Sequence, residues 1–519
     1  MLTRSHSPQK RNILLFAGKS ERKNFEEIPP IITVLDTSTN RVVANWELPK
    51  RNLQFRENLK FVDTMYGLAF SKDLSFIYDY NDGVSKGDDE PAVPASVTVF
   101  SLGKQTPVRQ ITFPFAGTMY RTYENDHRGY LALSPDERWL YIVETGRIAY
   151  NSKKRRNGRV HVIDVRSGRL VNSHDIGYNP LKPVVDYTGG SVLIASEGSL
   201  GAGPGKLYRF TDNKAPREWA LHGSPFYIRR ADDLAAYLTI TTSEIVLLNE
   251  SGDLAYTVLR LKDNGEHGEP KLATSLKNLP GHDFVAFPKA ERLVLGTCGL
   301  GGPDALYPED DVAVIDLKAG LIQRNLTIGR GSVKFGKGLA AFSLSMAVAM
   351  ASGYAAYSVG SPAYISPVFG VRSGSAPATM VPNPNHSKAW VLNSRTNDVT
   401  IIDPVALTDT KKIAVGTGCG RIMTVPGTGM AAVVCDDEIT LLDLQEEKVI
   451  YKSQFGGAKV YDVGWDEHTQ QLVALTSRGL TVLSDGKVKA EIAGLHEPML
   501  LVQGICDECP ASVSKGVVK

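Results

Sequence analysis

The sequence predicts an all-β protein: a single closed β-propeller of four-stranded blades, seven to nine in number and nine by direct count of the repeats. Three observations carry this reading. Apolar, β-forming runs of about five residues recur between tight-turn signals, too short for the periodic segments that helices need. One hairpin signature returns along the chain at a spacing of roughly 40 to 65 residues, the mark of stacked supersecondary units. The first unit lacks a strand and the end of the chain holds a spare one. Pairing of the N- and C-terminal strands would close a ring and remove the exposed sheet edges that invite aggregation.

The clearest unit runs from Arg128 to Gly177. Tyr130–Leu133 is a first apolar run, closed by Ser134-Pro135-Asp136-Glu137, where proline presets φ and aspartate can cap its own backbone. Trp139–Val143 is the second run and Val160–Asp164 the third; Arg166-Ser167-Gly168 then turns the chain into Leu170–Ile176. The third-strand signature returns as ITVLDTSTNRVV at Ile32, VAVIDLKAGLI at Val312, VTIIDPVALTDT at Val399 and ITLLDLQEEKV at Ile439. Weaker copies start at Val97, Lys206, Glu244 and Leu480. The aspartate that ends several copies is expected to accept N–H groups of the following turn, a structural task and not a catalytic one.

Taken in order, residues 1–10 are polar, basic and proline-containing, and are expected to form a disordered tail. Ile13–Ala17, Ile31–Leu35 and Val42–Leu48 supply three strands of the first unit. The second spans Tyr66 to Pro114, with Asn81–Pro94 as an acidic exposed loop, and the third is described above. The fourth covers Val184 to His222, the fifth Phe226 to Leu261, and residues 262–280 form a polar connector before the sixth, Phe284 to Gly329. Gly338–Val371 carries no charged side chain, but its larger apolar residues alternate with serine and alanine. That period of two predicts a buried or interface-forming hairpin and not a membrane span. Ala378–Gly416, Gly420–Phe455 and Val460–Ile492 are the last three units; Pro498–Val502 is the spare strand. The propeller is thus expected over 11–505, with 506–519 as a C-terminal tail.

Composition narrows the function classes. Hydrophobic content of 42% and charged content of 22% are those of an ordinary soluble domain, and 48 glycines with 28 prolines suit a fold of many turns. Lys and Arg number 58 against 56 Asp and Glu, a net charge of +2, so no bulk attraction to nucleic acid or membrane is expected. Lys153-Lys154-Arg155-Arg156 reads as a solvated loop. No secretory signal is evident in the first residues, so the chain is expected in the cytoplasm, or in the periplasm or outside the cell if a signal peptide has been removed. Five cysteines are too few for a disulfide scaffold. Cys506 and Cys509 have CxxC spacing without a second CxxC, so free thiols or one local disulfide are expected there.

In a propeller, the connection entering each innermost strand faces the central channel. Those connections contain Asp63 and Tyr66; Tyr120, Arg121, His127 and Arg128; Lys182; Tyr227, Arg229 and Arg230; His282 and Asp283; Arg421; and Tyr461 and Asp462. The set is polar and richer in cations than anions, which suits a small anionic or polar molecule. His127, His282 and Tyr66 are the candidates for acid–base chemistry. Tyr120, Arg121, Lys182, Arg229, Arg421 and Asp462 are the candidates for ligand binding, with arginine able to clamp a carboxylate bidentately. Two histidines on different blades do not specify a metal, and the glycine-rich loops Ser199–Gly205 and Gly299–Gly302 lack the lysine–serine pair of a phosphate cradle. No cofactor is named by these residues.

The SPD turn at Ser134 and the VHVIDVRSG and VTIIDPVAL hairpins resemble the YVTN-type propeller repeats. That superfamily includes quinoprotein amine dehydrogenase heavy or β chains, surface-layer repeat proteins and the d-type haem domain of nitrite reductases. The segment from Phe113 through Val165, with GTMYRTYE ahead of SPDERWLYI, is most similar to an amine dehydrogenase heavy chain. The resemblance covers most of the chain at the level of the repeat. It implies a periplasmic binding protein, or a redox-support subunit held against another protein. The chain departs from related patterns: it has no CxxCH for covalent haem, and the Trp-Asp and Gly-His pairs that recur in eukaryotic scaffold propellers do not recur in its units, each standing once, at Trp465-Asp466 and Gly281-His282. Two function classes follow: an axial small-molecule site, as a binder or an acid–base enzyme, and a non-catalytic protein–protein scaffold or redox support.

Overall fold

The computed structural model describes residues 11–506, apart from short connections and the longer segments 49–60, 63–66, 115–130, 145–156, 198–204, 261–278, 299–309 and 330–376. The predicted uncharged hairpin at Gly338–Val371 lies outside the described residues, as do both predicted tails save Cys506. Among the described residues the chain is all-β, built of four-stranded antiparallel sheets, with no α-helix. One edge strand of each four-stranded sheet, called innermost below, is labelled here: β1 (Leu68–Phe70), β2 (Leu131–Leu133), β3 (Val184–Asp186), β4 (Pro225–Ala231), β5 (Leu279–Phe287), β6 (Pro377–Pro382), β7 (Arg421–Val425), β8 (Val460–Asp466) and β9 (Pro498–Cys506).

From β1 to β8 each innermost strand is followed in sequence by the three outer strands of its own sheet. The unit starting at β2, for example, continues through Trp139–Glu144, Arg159–Asp164 and Arg169–Asp175, within a residue or two of the predicted strands. The remaining sheet is assembled from both ends of the chain: β9 pairs antiparallel with Arg11–Gly18, which pairs in turn with Ile31–Asp36 and then Arg41–Glu47. The acidic stretch expected as a plain loop is more ordered than predicted. Val84–Ser85 and Pro91–Val93 pair into a short ribbon there.

The third-to-fourth strand hairpin shows why the repeats look alike. Asp36, Asp164, Asp316, Asp403 and Asp443 each accept a backbone N–H two or three residues on; at Asp403 the donors are Val405 (2.9 Å) and Ala406 (2.8 Å). Four residues past the aspartate the backbone turns left-handed, at Gly168, Gly320, Leu407 and Glu447. A bulge follows in each of these hairpins, as between Val162 and Ile163. The turn chemistry is local, so it repeats wherever the short sequence does.

The core sits between successive sheets. Val143, Val160 and Val162 of one sheet pack on Ile194, Tyr208 and Phe210 of the next, and Trp390, Val399 and Ile401 pack on Ile422, Ala431 and Val433. Leu35, in the sheet built from both ends, packs against Val473, Leu475 and Val482 of the sheet that begins at β8. Because both faces of the second and third strands are covered, these strands are apolar almost throughout, as in SVLIAS and WLYIVE. The outermost strands have one neighbour only and read as alternating or polar, as in TDTKKIA. Gly177 marks a tight approach: a Cβ there would lie 1.8 Å from the Glu197 carbonyl oxygen.

Candidate functional site

The predicted axial residues divide into three groups. Tyr66, Tyr120, Arg121, His127 and Lys182 lie outside the described residues. Arg229 and His282 lie within strands and not in the connections ahead of them: Arg229 is in β4 opposite Leu238, and His282 is in β5 within the irregular stretch between Pro280 and Phe284. Only their backbone is described. Arg421 and Asp462 are placed in full, and the structure brings them together.

Arg421 is the first residue of β7, and Asp462 lies near the start of β8 in the adjoining sheet. Arg421 Nη1 donates to Asp462 Oδ1 at 2.6 Å, and the same oxygen accepts the backbone N–H of Val463 at 2.8 Å. The Arg421 side chain is half exposed and that of Asp462 is 24% exposed, so the pair lies at a surface and not in the core. A guanidinium presents five N–H donors in a fixed fork. Anchoring through Nη1 therefore orients the remainder without using it up. An exposed pair of this kind contributes about 0–1 kcal/mol to stability, so its geometry matters more than its energy.

Two more polar contacts tie neighbouring innermost strands. Asp283 in β5 is buried; its Oδ1 accepts the N–H of Phe284 at 3.0 Å, and its Oδ2 accepts the N–H of Met380 in β6 at 2.6 Å. Thr379 Oγ1 in β6 accepts the N–H of Ile422 in β7 at 2.7 Å. From β5 to β8, a side chain thus bonds each innermost strand to the next. Asp283 belongs to the axial set by its polarity, and its carboxylate bonds two neighbouring strands.

Two features escaped the sequence reading. Cys419 and Cys435 are joined by a disulfide, although the CxxC at Cys506 drew attention instead. Their signal was positional: Cys419 stands two residues before Arg421, and Cys435 one residue beyond Val434, the partner of Arg421 in the ladder. The second is a polar row on three adjacent strands, in which His161 and Glu144 are buried and Ser173 is exposed. His161 Nε2 lies 3.1 Å from Glu144 Oε2, and His161 Nδ1 is 2.8 Å from Ser173 Oγ. The signal was a histidine and a strand-end glutamate inside otherwise apolar runs. Among the described residues, no group of three or more His, Cys, Asp or Glu is placed to hold a metal ion.

Comparison with known proteins adds solved structures only. No family model matches the chain, and no curated protein matches it. A dihydro-haem d1 dehydrogenase, NirN, in complex with DHE is similar at a TM-score of 0.44 and 14% identity, covering 86% of this chain and 73% of that one. The Dos1 propeller is similar at a TM-score of 0.43 and 12% identity, covering 92% of this chain and 93% of that one. Apo AztD from Citrobacter koseri is similar at 0.41 and 9%, covering 95% and 98%. None of these likenesses carries an argument about what this chain binds or does.

Proposed function

We propose that the sheets are the blades of one closed propeller, nine in number, and that the channel end bearing the N-terminus of β7 binds a small anionic or polar molecule. The observation that carries the reading is the Arg421–Asp462 pair. These two residues come from different units, both stand near the start of an innermost strand, and they meet at a partly exposed position. An arginine oriented by an aspartate suits a carboxylate or similar anion. Arg229, Tyr120, Arg121 and Lys182 would complete the polar lining, and Tyr66, His127 and His282 would supply proton transfer if the site is catalytic. The YVTN-type relationship belongs to this proposal as well.

A second reading has its own support. The Asp283–Met380 and Thr379–Ile422 bonds are made by polar side chains of innermost strands that hold neighbouring sheets together. If Arg421 and Asp462 do the same, the protein is a protein–protein scaffold or the support subunit of a redox partner. Calorimetric titration with citrate and with inorganic phosphate separates the readings. Under the first, wild type and Arg138→Ala bind one of them alike, whereas Arg421→Ala and Arg229→Ala lose about tenfold or more in affinity. Arg138 is exposed on a strand-connecting turn and stacks over Trp139, which makes it a fair control. Identical titrations for all four proteins would leave the scaffold reading in place.

A further inference from the structure

The Cys419–Cys435 disulfide closes the open end of the hairpin formed by β7 and Met430–Val434, and both cysteines are buried. The turn that begins at Cys435 serves two neighbours. Asp436 N–H donates to the Thr417 carbonyl at 3.1 Å, which holds the connection into β7. The Asp436 carbonyl accepts the N–H of Val460 at 2.6 Å, which holds the first residue of β8. Gly420 N–H donates to Val434 O at 3.1 Å and completes the closure. From Cys419 the chain runs two residues to Arg421; from Cys435 it runs through Asp436 to Val460, two residues before Asp462. Each half of the ion pair is therefore tied to one half of the disulfide.

We infer that Cys419 and Cys435 are positioning residues, whose disulfide fixes the starts of β7 and β8 relative to each other and so sets the Arg421–Asp462 geometry. For its ligand the inference rests on the anion-site reading above; for its geometry it does not. The bond forms by exchange with a disulfide-bearing oxidant. One cysteine thiolate attacks a sulfur of the oxidant and gives a mixed disulfide; the second thiolate then displaces the oxidant as a dithiol, two protons having left the cysteines. Burial of both sulfurs makes the result a standing brace, because a reductant has no access until this end of the sheet opens.

The test uses the full-length chain prepared under oxidising conditions. Trypsin cuts after Lys412, Arg421 and Lys448, so peptides 413–421 and 422–448 stay together only through this bond and separate on reduction. Cys419→Ser with Cys435→Ser is then compared with wild type by hydrogen exchange and by citrate titration. The brace predicts that exchange at residues 421–423 and 460–463 speeds up by about tenfold or more while the sheet beginning at β2 is unchanged. It also predicts weaker citrate binding that is not additive with Arg421→Ala. If the serine pair does not fold, Cys419→Ala with Cys435→Val, which refills the buried volume, is read in its place. Absence of the linked peptides, or unchanged exchange at both strand starts, overturns the brace. Failure of wild type to bind citrate removes the anion reading alone, since the peptide and exchange results still decide the brace.

Discussion

At His161 a single side chain joins three strands. Its ring meets the Glu144 carboxylate and the Ser173 hydroxyl, and both His161 and Glu144 are buried. Removing one member of a buried ionisable pair costs about 3–5 kcal/mol, because its partner stays desolvated. His161→Leu is expected to lower the urea midpoint accordingly, and His161→Leu with Glu144→Leu to recover much of the loss. A double variant no more stable than the single one would show that the pair is not a unit. The turn aspartates give a pH dependence. The Ser167 backbone N–H holds the Asp164 carboxyl below its ordinary pKa, with the Ser167 hydroxyl assisting. The Ala319 N–H does the same for Asp316, against a smaller opposing effect of burial and with help from the Arg292 guanidinium. A carboxyl whose folded pKa is depressed stabilises the fold above its unfolded pKa, and that stabilisation is lost as pH falls through the folded value. Stability should therefore drop as pH falls below about 4. Asp316→Asn should be less stable than wild type at pH 6 and show a shallower acid limb in equilibrium unfolding.

Within an element, the hairpin between the third and fourth strands both turns the chain and receives the preceding sheet. Arg109 Nη1, on an outermost strand, donates to the carbonyls of Val165 and Arg166 in the neighbouring hairpin, at 2.8 and 2.9 Å. Ser453 Oγ donates to the Gly486 carbonyl at 3.0 Å, and the Tyr451 ring lies directly against Gly486. Gly486 has φ +74°, and a Cβ there would lie 2.7 Å from Tyr451 Cγ. A left-handed residue with a side chain costs about 1–2 kcal/mol before any clash is counted. Gly486→Ala should thus lower the melting temperature by at least several degrees, with partial relief from a second change, Tyr451→Ala. An unchanged melting temperature would mean that the turn and ring move apart freely.

For the whole molecule, the decisive strand is β9. It brings the end of the chain onto Arg11–Gly18, and Leu35 of that same sheet packs on the sheet beginning at β8. If these contacts close a ring, every sheet depends on the join, and removing residues 497–519 exposes an edge on each side of it. The truncated chain is expected to unfold at a clearly lower temperature and to aggregate on concentration. Thermal unfolding identical to that of the full chain would argue for an open array.

Local chemistry made much of this architecture legible. Asp403 and Asp443 could be read as turn acceptors because donor and acceptor lie three residues apart, and no distant contact alters that. The strands were legible for a similar reason: WLYIVE and SVLIAS are apolar on both faces, and flanking turn residues bound them. Residue order and turn chemistry also put Arg421 and Asp462 in the connections that lead into the first strands of two units, and they stand at or near the starts of those strands. That they bond each other depended on how two adjacent sheets approach, which is set by packing of side chains such as Val425 on Trp465 across the interface. The pairing of Cys419 with Cys435 likewise required the hairpin register and the turn at Asp436 together. The Asp283–Met380 bond links residues 97 positions apart, a separation at which no local pattern signals a contact. Short-range backbone chemistry is written residue by residue and can be read that way, whereas contacts between sheets exist only once burial has brought their faces together.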